Sequence, residues 1–302
     1  MATLSVIISA WNEEAKIKRC LASVSWVDEI IFVDNSSTDQ TPRIAKQFTS
    51  KVFKRPNNPM LNVNKNFGFS KATSDWILSL DADEKITKEL ASEIRSTIDA
   101  QNELVGYWIP RKNILFGKWI MHGLWWPDKQ LRLFKRNKGK FPGIHVHEYL
   151  SVDGSTGELD EPYIHYNYET ISQFIKKMDT IYTESEVQKH ISANYQLSWY
   201  DALRFPISDF VKIYFVQQGY KDGLHGLVLS ILQSFYSFIV FAKLWEKNKF
   251  NQIDIPLSSV AKEFRQAEKE VDYWIISAEE KETPSKTMRL LLKVKRRVLA
   301  RV

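Results

Sequence analysis

The strongest constraint on this chain lies in its first eighty or so residues, where short apolar runs alternate with polar or amphipathic stretches. Leu4–Ala10, Glu29–Asp34 and Trp76–Leu80 are almost continuously apolar between their ends. Runs of that length without alternation suit strands covered on both faces. Val52–Lys54 is a shorter run of the same kind. Asn62–Ala72 and Thr87–Ala100 read as helices, the second with Thr87 as N-cap and acids in its early turns. Thr38 or Asp39 is placed to cap a helix after the second run. Strands alternating with helices predict a largely parallel α/β sheet. In such sheets ligands gather at the carboxyl ends of strands. Asn12-Glu13-Glu14 follows the first run, Asp34-Asn35 ends the second, and Asp81-Ala82-Asp83-Glu84 follows the run at Trp76. Acids and amides therefore converge at one edge of the sheet.

The first glycine in the chain is Gly68. The first turn after a strand thus has neither G-x-G-x-x-G nor a P-loop, both of which need glycine so that backbone amides can approach phosphate. A Rossmann dehydrogenase and a P-loop NTPase are excluded. A nucleotide bound here would need side chains and a metal for its phosphates. Asp81 and Asp83, one residue apart at a strand end, can share a hard divalent cation such as Mg²⁺ or Mn²⁺, or its waters. Such a cation neutralises a diphosphate leaving group. A D-x-D pair alone is also common in turns.

Four segments in order resemble the family 2 glycosyltransferases, which have the GT-A fold. They are Ser5–Glu14, Ile31–Asp39, Asn64–Gly68 and Leu80–Glu84, and the likeness spans about residues 3–150. The resemblance implies inverting transfer from a nucleotide-sugar donor, a UDP-sugar. It implies that Asn12, Glu13 and Asp34 hold the nucleoside, that Asp81 contacts ribose or metal, and that Asp83 holds the metal. Lys65 stands where the family often has arginine and would face the pyrophosphate. The family often has two acids where this chain has Asp34-Asn35.

Beyond Gly106 the pattern changes. Gly106–Pro110 and Gln130–Lys135 read as strands, with an aromatic stretch from Trp119 to Trp126 between them. Trp125–Arg136 and Phe141–Glu148 resemble the lipopolysaccharide core β-1,4-glucosyltransferase subgroup. The wider family places its catalytic acid near Glu148, which makes Glu148 the first choice of general base and Asp128 the second. Otherwise Glu148 is a partner for nearby cations and Asp128 part of a Pro-Asp turn. Arg132 either stabilises the diphosphate or makes a structural ion pair. His145 and His147 would share a strand face. No further His/Cys set accompanies them, so His147 reads as a supporting or acceptor-binding residue. Trp125 and Trp126 suit a sugar face and equally suit a core.

The C-terminal half reads as helical from Thr170 to Ser192, strongly apolar over Tyr200–Trp245, and charged and helical thereafter. Gly226–Ala242 has 17 uncharged residues, near the lower limit for a span, and its serines favour a buried or interfacial helix. The net charge is +6, but residues 285–302 carry seven cations and no acid, so the remainder sums to −1. On a helical wheel this tail is basic on one side and apolar on the other. That pattern suits an anionic membrane surface, or else a helix packed on the core by its apolar face. No nucleic-acid-binding motif accompanies it. The single cysteine, Cys20, excludes an intramolecular disulfide, and the N-terminus lacks the basic start of a signal peptide.

The expectation is a GT-A catalytic domain over 1–165, with a mixed, mainly parallel sheet flanked by helices. A helical acceptor or membrane-proximal region would follow over 166–250, and a charged helical tail over 251–302. The activity expected is transfer of a hexose, with glucose from UDP-glucose as the best match, to a lipopolysaccharide core or other lipid-linked glycan. The site would be cytoplasmic, at the inner face of the cytoplasmic membrane. A nucleotidyltransferase acting on a sugar phosphate and an inactive sugar-nucleotide-binding scaffold are the alternatives.

Overall fold

The computed structural model of the chain describes residues 1–58, 61–100, 102–143 and 149–300. The chain divides into two compact units. The first is Met1–Leu115 with Trp126–Asn167, and the second is Phe116–Trp125 with Tyr168–Val302. In chain order the elements up to the first hairpin are β1 (Leu4–Ala10), α1 (Ile17–Ala22), β2 (Glu29–Asp34), α2 (Thr41–Ala45), β3 (Val52–Lys54), α3 (Leu61–Lys71), β4 (Trp76–Leu80), β5 (Glu84–Lys85), α4 (Lys88–Asp99) and β6 (Gly106–Leu115). Then come β7 (Lys118–Trp119, in the second unit), β8 (Asp128–Lys135), β9 (Gly139–Lys140), β10 (Ser151–Val152), β11 (Thr156–Glu158) and β12 (Tyr163–Tyr166).

The main sheet of the first unit has the order β3-β2-β1-β4-β8-β6-β12-β5. Its first four strands are parallel, as the apolar runs predict. Beyond β4 the sheet is mixed. β8 is antiparallel to β4 and to β6, β12 is parallel to β6, and β5 is antiparallel to β12. β6 and β8 are longer than expected because their ladder runs on to pair Arg111 with Asp128.

Side chains alternate along β1 into two cores, which is why the run looks uniformly apolar. Leu4, Val6, Ile8 and Ala10 pack with Ile17, Cys20 and Leu21 of α1 and with Leu90, Ile94 and Ile98 of α4. Ile7 faces the other side, with Ile31, Val33, Ile77 and Phe69. Thr87 caps α4, its hydroxyl accepting from the Leu90 amide at 3.1 Å. Asp39, rather than Thr38, engages the start of α2 by accepting from the Thr41 amide at 2.9 Å.

The second unit is helical: α5 (Ile171–Lys177), α6 (Thr183–Ser192), α7 (Asp201–Phe210), α8 (Leu224–Lys247), α9 (Leu257–Glu282) and α10 (Lys286–Leu299). The helix expected over 170–192 is broken by a π-helical turn at Met178–Tyr182. Within this unit the aromatic segment is pinned by buried Asp222. Its carboxylate accepts from the backbone amides of Met121 at 3.1 Å and His122 at 2.9 Å.

Gly68 lets α3 lie directly on β1. A Cβ there would stand 2.4 Å from Ile7 Cγ2 and 3.2 Å from Val33 Cγ2. Ile7 is branched and buried, so it cannot swing aside. Gly68→Ala is expected to destabilise the protein by about 1–3 kcal/mol, read as a lower urea midpoint with unchanged slope. An unchanged midpoint would mean that α3 can move off the sheet freely.

Candidate active site

The parallel strands deliver their carboxyl ends to one edge, and the polar residues there are laced together before any ligand is considered. Asn12, with φ +54°, turns the chain after β1. Its side-chain oxygen accepts from the Thr38 amide at 2.8 Å, and its own amide donates to the Ser37 hydroxyl at 3.0 Å. Glu13 donates its amide to the Thr41 hydroxyl at 2.8 Å, and its carboxylate lies 3.5 Å from Lys16 Nζ. Asp34 is buried at the end of β2, where its Oδ1 accepts from the Ser37 amide at 3.1 Å. Asn35 is buried beside it and accepts from Asn64 of α3 at 2.8 Å. The loops after β1 and β2 therefore form one preorganised platform.

The end of β4 is an ion cluster. Arg132 on β8 is buried, and its Nη2 donates to Asp81 at 2.8 Å and Glu84 at 2.6 Å. Its Nε donates to the Tyr163 hydroxyl at 3.4 Å. Lys65 of α3 pairs with the other oxygen of Asp81. Both Asp81 oxygens are thus engaged by cations. Burial opposes ionisation of Asp81, but Lys65 and Arg132 outweigh it and hold this carboxyl well below the usual range. Burial pushes Glu84 up; Arg132 opposes the rise and the Asp81 charge adds to it. Cys20 is buried beneath the cluster, with its thiol donating to the Asp81 carbonyl at 3.3 Å. Burial pushes that thiol well up, and Glu84, Asp83 and Asp81 push it further.

A second network starts at Asp83. His165 Nε2 lies 3.6 Å from Asp83 Oδ2. His165 Nδ1 lies 2.7 Å from Asn113 Oδ1, and Asn113 Nδ2 donates to Asp128 at 3.0 Å. An ionised Asp128 only accepts, so Asn113 must turn its nitrogen to Asp128 and its oxygen to the imidazole. Nδ1 therefore carries a hydrogen. In the neutral ring the Nε2 lone pair is left facing Asp83. Burial works against the Asp83 charge; with a proton on Nε2 as well, the hydrogen bond and positive charge of His165 outweigh it and lower the Asp83 pKa. A carboxylate oxygen and an imidazole lone pair facing each other, with the far ring nitrogen anchored, are the donor set and support of a metal-binding pair. Among the described residues no group of three or more His, Cys, Asp or Glu side chains forms a metal cage. A hard cation needs only one or two protein ligands when phosphates and water supply the rest, so the pair fits.

Asp128 closes this network. Arg111 Nε donates to its Oδ2 at 2.7 Å, with a second contact from Nη2, and Gln130 donates to Oδ1 at 2.7 Å. Its carboxylate is committed to holding β6 and β8 together at this end. Lys65, Asp81, Arg111, Gln130, Arg132 and Phe141 contribute to a cleft of about 310 Å³. The charged side chains that line the cleft are three cations, Lys65, Arg111 and Arg132, and one carboxylate, Asp81, so its lining leans positive and favours an anion.

Trp125 is half-buried in a short 3₁₀ turn, Gly123–Trp125, of the second unit, and Trp126 is half-buried in the first. His147 and Glu148 lie outside the described residues. His165 was not among the residues singled out from the sequence. Its signal was the alternation in Tyr163–Tyr166, which puts His165 on the same face as Tyr163, the partner of Arg132.

Residues 5–150 match the model of the Glycosyl transferase family 2. The chain is 28% identical over 266 residues to an uncharacterized glycosyltransferase of Rickettsia typhi, covering 82% of this chain and 88% of that one. It is 24% identical over 252 residues to the lipopolysaccharide core biosynthesis glycosyltransferase LpsC of Rhizobium meliloti, covering 81% and 93%. A solved structure, S. aureus TarS 1–349, aligns over 84% of this chain and 94% of its own at 17% identity and a TM-score of 0.43. The family match places residues 5–150 in glycosyl transferase family 2, and the chain is a glycosyltransferase with the mixed sheet and helical C-terminal region of the GT-A type.

Removing Arg132 would leave Asp81 and Glu84 buried side by side with one fewer cation. Arg132→Leu is expected to cost about 3–5 kcal/mol of stability. Adding Glu84→Gln should recover part of that loss, since it removes the carboxylate with no other cation in contact. Urea denaturation of the two single variants and the double variant checks this. Strict additivity would show that the pair does not act as a unit.

Proposed function

We propose that this glycosyltransferase is an inverting hexosyltransferase that moves glucose from UDP-glucose to a lipopolysaccharide core or another lipid-linked glycan. The observation that carries this reading is the positive-leaning cleft at the end of β4, beside the Asp83–His165 pair. The choice of glucose rests on the subgroup resemblance of the Trp125–Arg136 and Phe141–Glu148 segments. The acceptor class is supported by the name of the LpsC relative.

In this reading Asn12, Glu13 and Asp34 form the nucleoside platform. Lys65, which shares the Asp81 carboxylate with Arg132, turns its remaining hydrogens toward the diphosphate. Arg132 acts through Asp81, keeping it charged and in place. Asp83 and His165 would hold Mg²⁺ or Mn²⁺, which supplies charge neutralisation for the departing diphosphate. Asp81, saturated by cations, serves the ribose side. Glu148 takes the acceptor hydroxyl proton as the new bond forms at the sugar C1. The bond from C1 to the β-phosphate oxygen breaks on the opposite face, and UDP leaves. Asp128 is held by Arg111 and supports the floor of the site. Trp126 and His147 receive the acceptor.

The site acts at the cytoplasmic face of the membrane, held there by α10. Leu290, Leu291, Val294 and Val298 of that helix are more than half exposed, while Leu292 and Leu299 are half-buried, so most of its apolar side is open. The basic side faces anionic headgroups.

Two outcomes test the assignment. Asp83→Asn and His165→Ala should each abolish the dependence of UDP affinity on Mn²⁺ in calorimetric titrations, while leaving metal-free UDP affinity unchanged. Retained metal dependence in both variants would remove the pair from the site. Glu148→Gln should keep UDP-glucose affinity and lose about 10²–10⁴-fold in transfer rate. Near-normal transfer would move the proton transfer to Asp128.

A further inference from the structure

The longest apolar surface of the second unit lies on α8, and neither the donor site nor the basic tail explains it. Leu224, Ile231, Phe238 and Trp245 recur every seven residues, and Phe235 stands beside them. Their exposures are 74, 52, 40, 40 and 46%. Seven-residue spacing keeps side chains within a narrow stripe, here 22 residues from Leu224 to Trp245, or about 31 Å long. Every exposed α8 residue before Glu246 belongs to this stripe. Phe235, Phe238 and Phe241 stack in sequence along it, with centroids 6.5 and 6.4 Å apart. Trp245 meets Phe250 edge-on at its end.

The opposite side of α8 is committed to protein. Gly226, Leu229, Ser230, Ser237, Val240 and Leu244 are buried. Ser237 donates to Asp209 of α7, and Val240 and Leu244 pack with Val187 of α6. A helix with one side held this way is not surrounded by lipid, despite a length of 24 residues and an 18-residue stretch of mean hydropathy 1.8. It can present only its stripe.

We propose that α8 lies along the surface of the bilayer, with this stripe sunk into the interfacial layer, as a second lipid contact beside α10. The proposal rests on the membrane reading of α10 for its electrostatic part. A lipid surface suits the stripe better than a second copy of the chain. Helix pairs set their register with complementary charges flanking the seam, and α8 has none between His225 and Lys243. Lipid requires no register. At the C-terminal end of the stripe Lys249 follows Trp245 and precedes Phe250, while Lys243 and Lys247 pair with Asp179 and Glu184. Lysine and tryptophan together are interfacial anchors. The same unit carries the seven cations of residues 285–302 without an acid, which complements anionic headgroups.

The only cysteine in the chain, Cys20, is buried, so an environment-sensitive dye can be placed by single substitution. Full-length Phe235→Cys and Leu291→Cys proteins, each carrying the dye NBD, would be mixed with phosphatidylcholine vesicles with and without phosphatidylglycerol. Both positions are expected to shift to shorter wavelength and brighten with the anionic vesicles. Ile231→Gln/Phe238→Gln, by removing apolar contact area, should weaken co-sedimentation with the vesicles by about tenfold or more. The double variant should keep its transfer rate on a soluble acceptor fragment. A response at 291 but not at 235 would overturn the α8 proposal and leave the α10 reading standing. No response at either position would sink both. A lipid-free response at 235 that rises with protein concentration, with a doubled mass by light scattering, would assign the stripe to a second copy instead.

Discussion

The site in the first unit depends on one buried guanidinium. Arg132 holds Asp81 and Glu84 in place from β8, while Tyr163 of β12 meets its Nε. Burying three charges is costly, and attraction repays the desolvation only when geometry and hydrogen bonds are good. Here Lys65 completes Asp81, and burial favours the neutral form of Glu84. The turn from β4 to β5, which carries Asp83, is thereby tied to α3, β8 and β12.

From that anchor a relay of contacts spreads across the sheet. Asp83 faces His165, His165 meets Asn113, and Asn113 meets Asp128, which Arg111 holds. Each link constrains the next, so the ring nitrogen nearest Asp83 is selected by a carboxylate on another strand. The platform after β1 and β2 is ordered by different bonds, among Asn12, Ser37 and Thr38. The platform after β1 and β2 and the Asp83–His165 pair are in this way separately braced. The second unit has its own polar pin at Asp222, and its helices turn apolar surface outward on α8 and α10.

The strands of the first unit were legible because both of their faces are covered, which makes apolar runs conspicuous. The α4 cap was legible because capping is local. What failed to show were features set by distant partners. The continuation of β6 and β8 past Pro110 and Gln130 depends on register and on the Arg111–Asp128 pair. The π-helical turn at Met178–Tyr182 leaves no mark on a helical pattern. Arg132 was evenly balanced between diphosphate contact and structural ion pair. Its two carboxylates lie 51 and 48 residues away, so only the fold could show that it makes the ion pairs. His165 was missed because one histidine in a four-residue strand has no pattern of its own. For α10 the wheel gave two sides, and only packing shows that most of the apolar one is open.

The central claim is that the edge after β1, β2 and β4 holds a nucleotide sugar for displacement at its anomeric carbon. It is tested most directly by incubating the enzyme with UDP-glucose, Mn²⁺ and lipopolysaccharide core acceptor, and following both products by NMR. The account predicts UDP and a glucosylated acceptor in equal amounts, with the new linkage β from an α-linked donor. Retention of the α configuration, or no UDP released with any sugar nucleotide and acceptor, would contradict it.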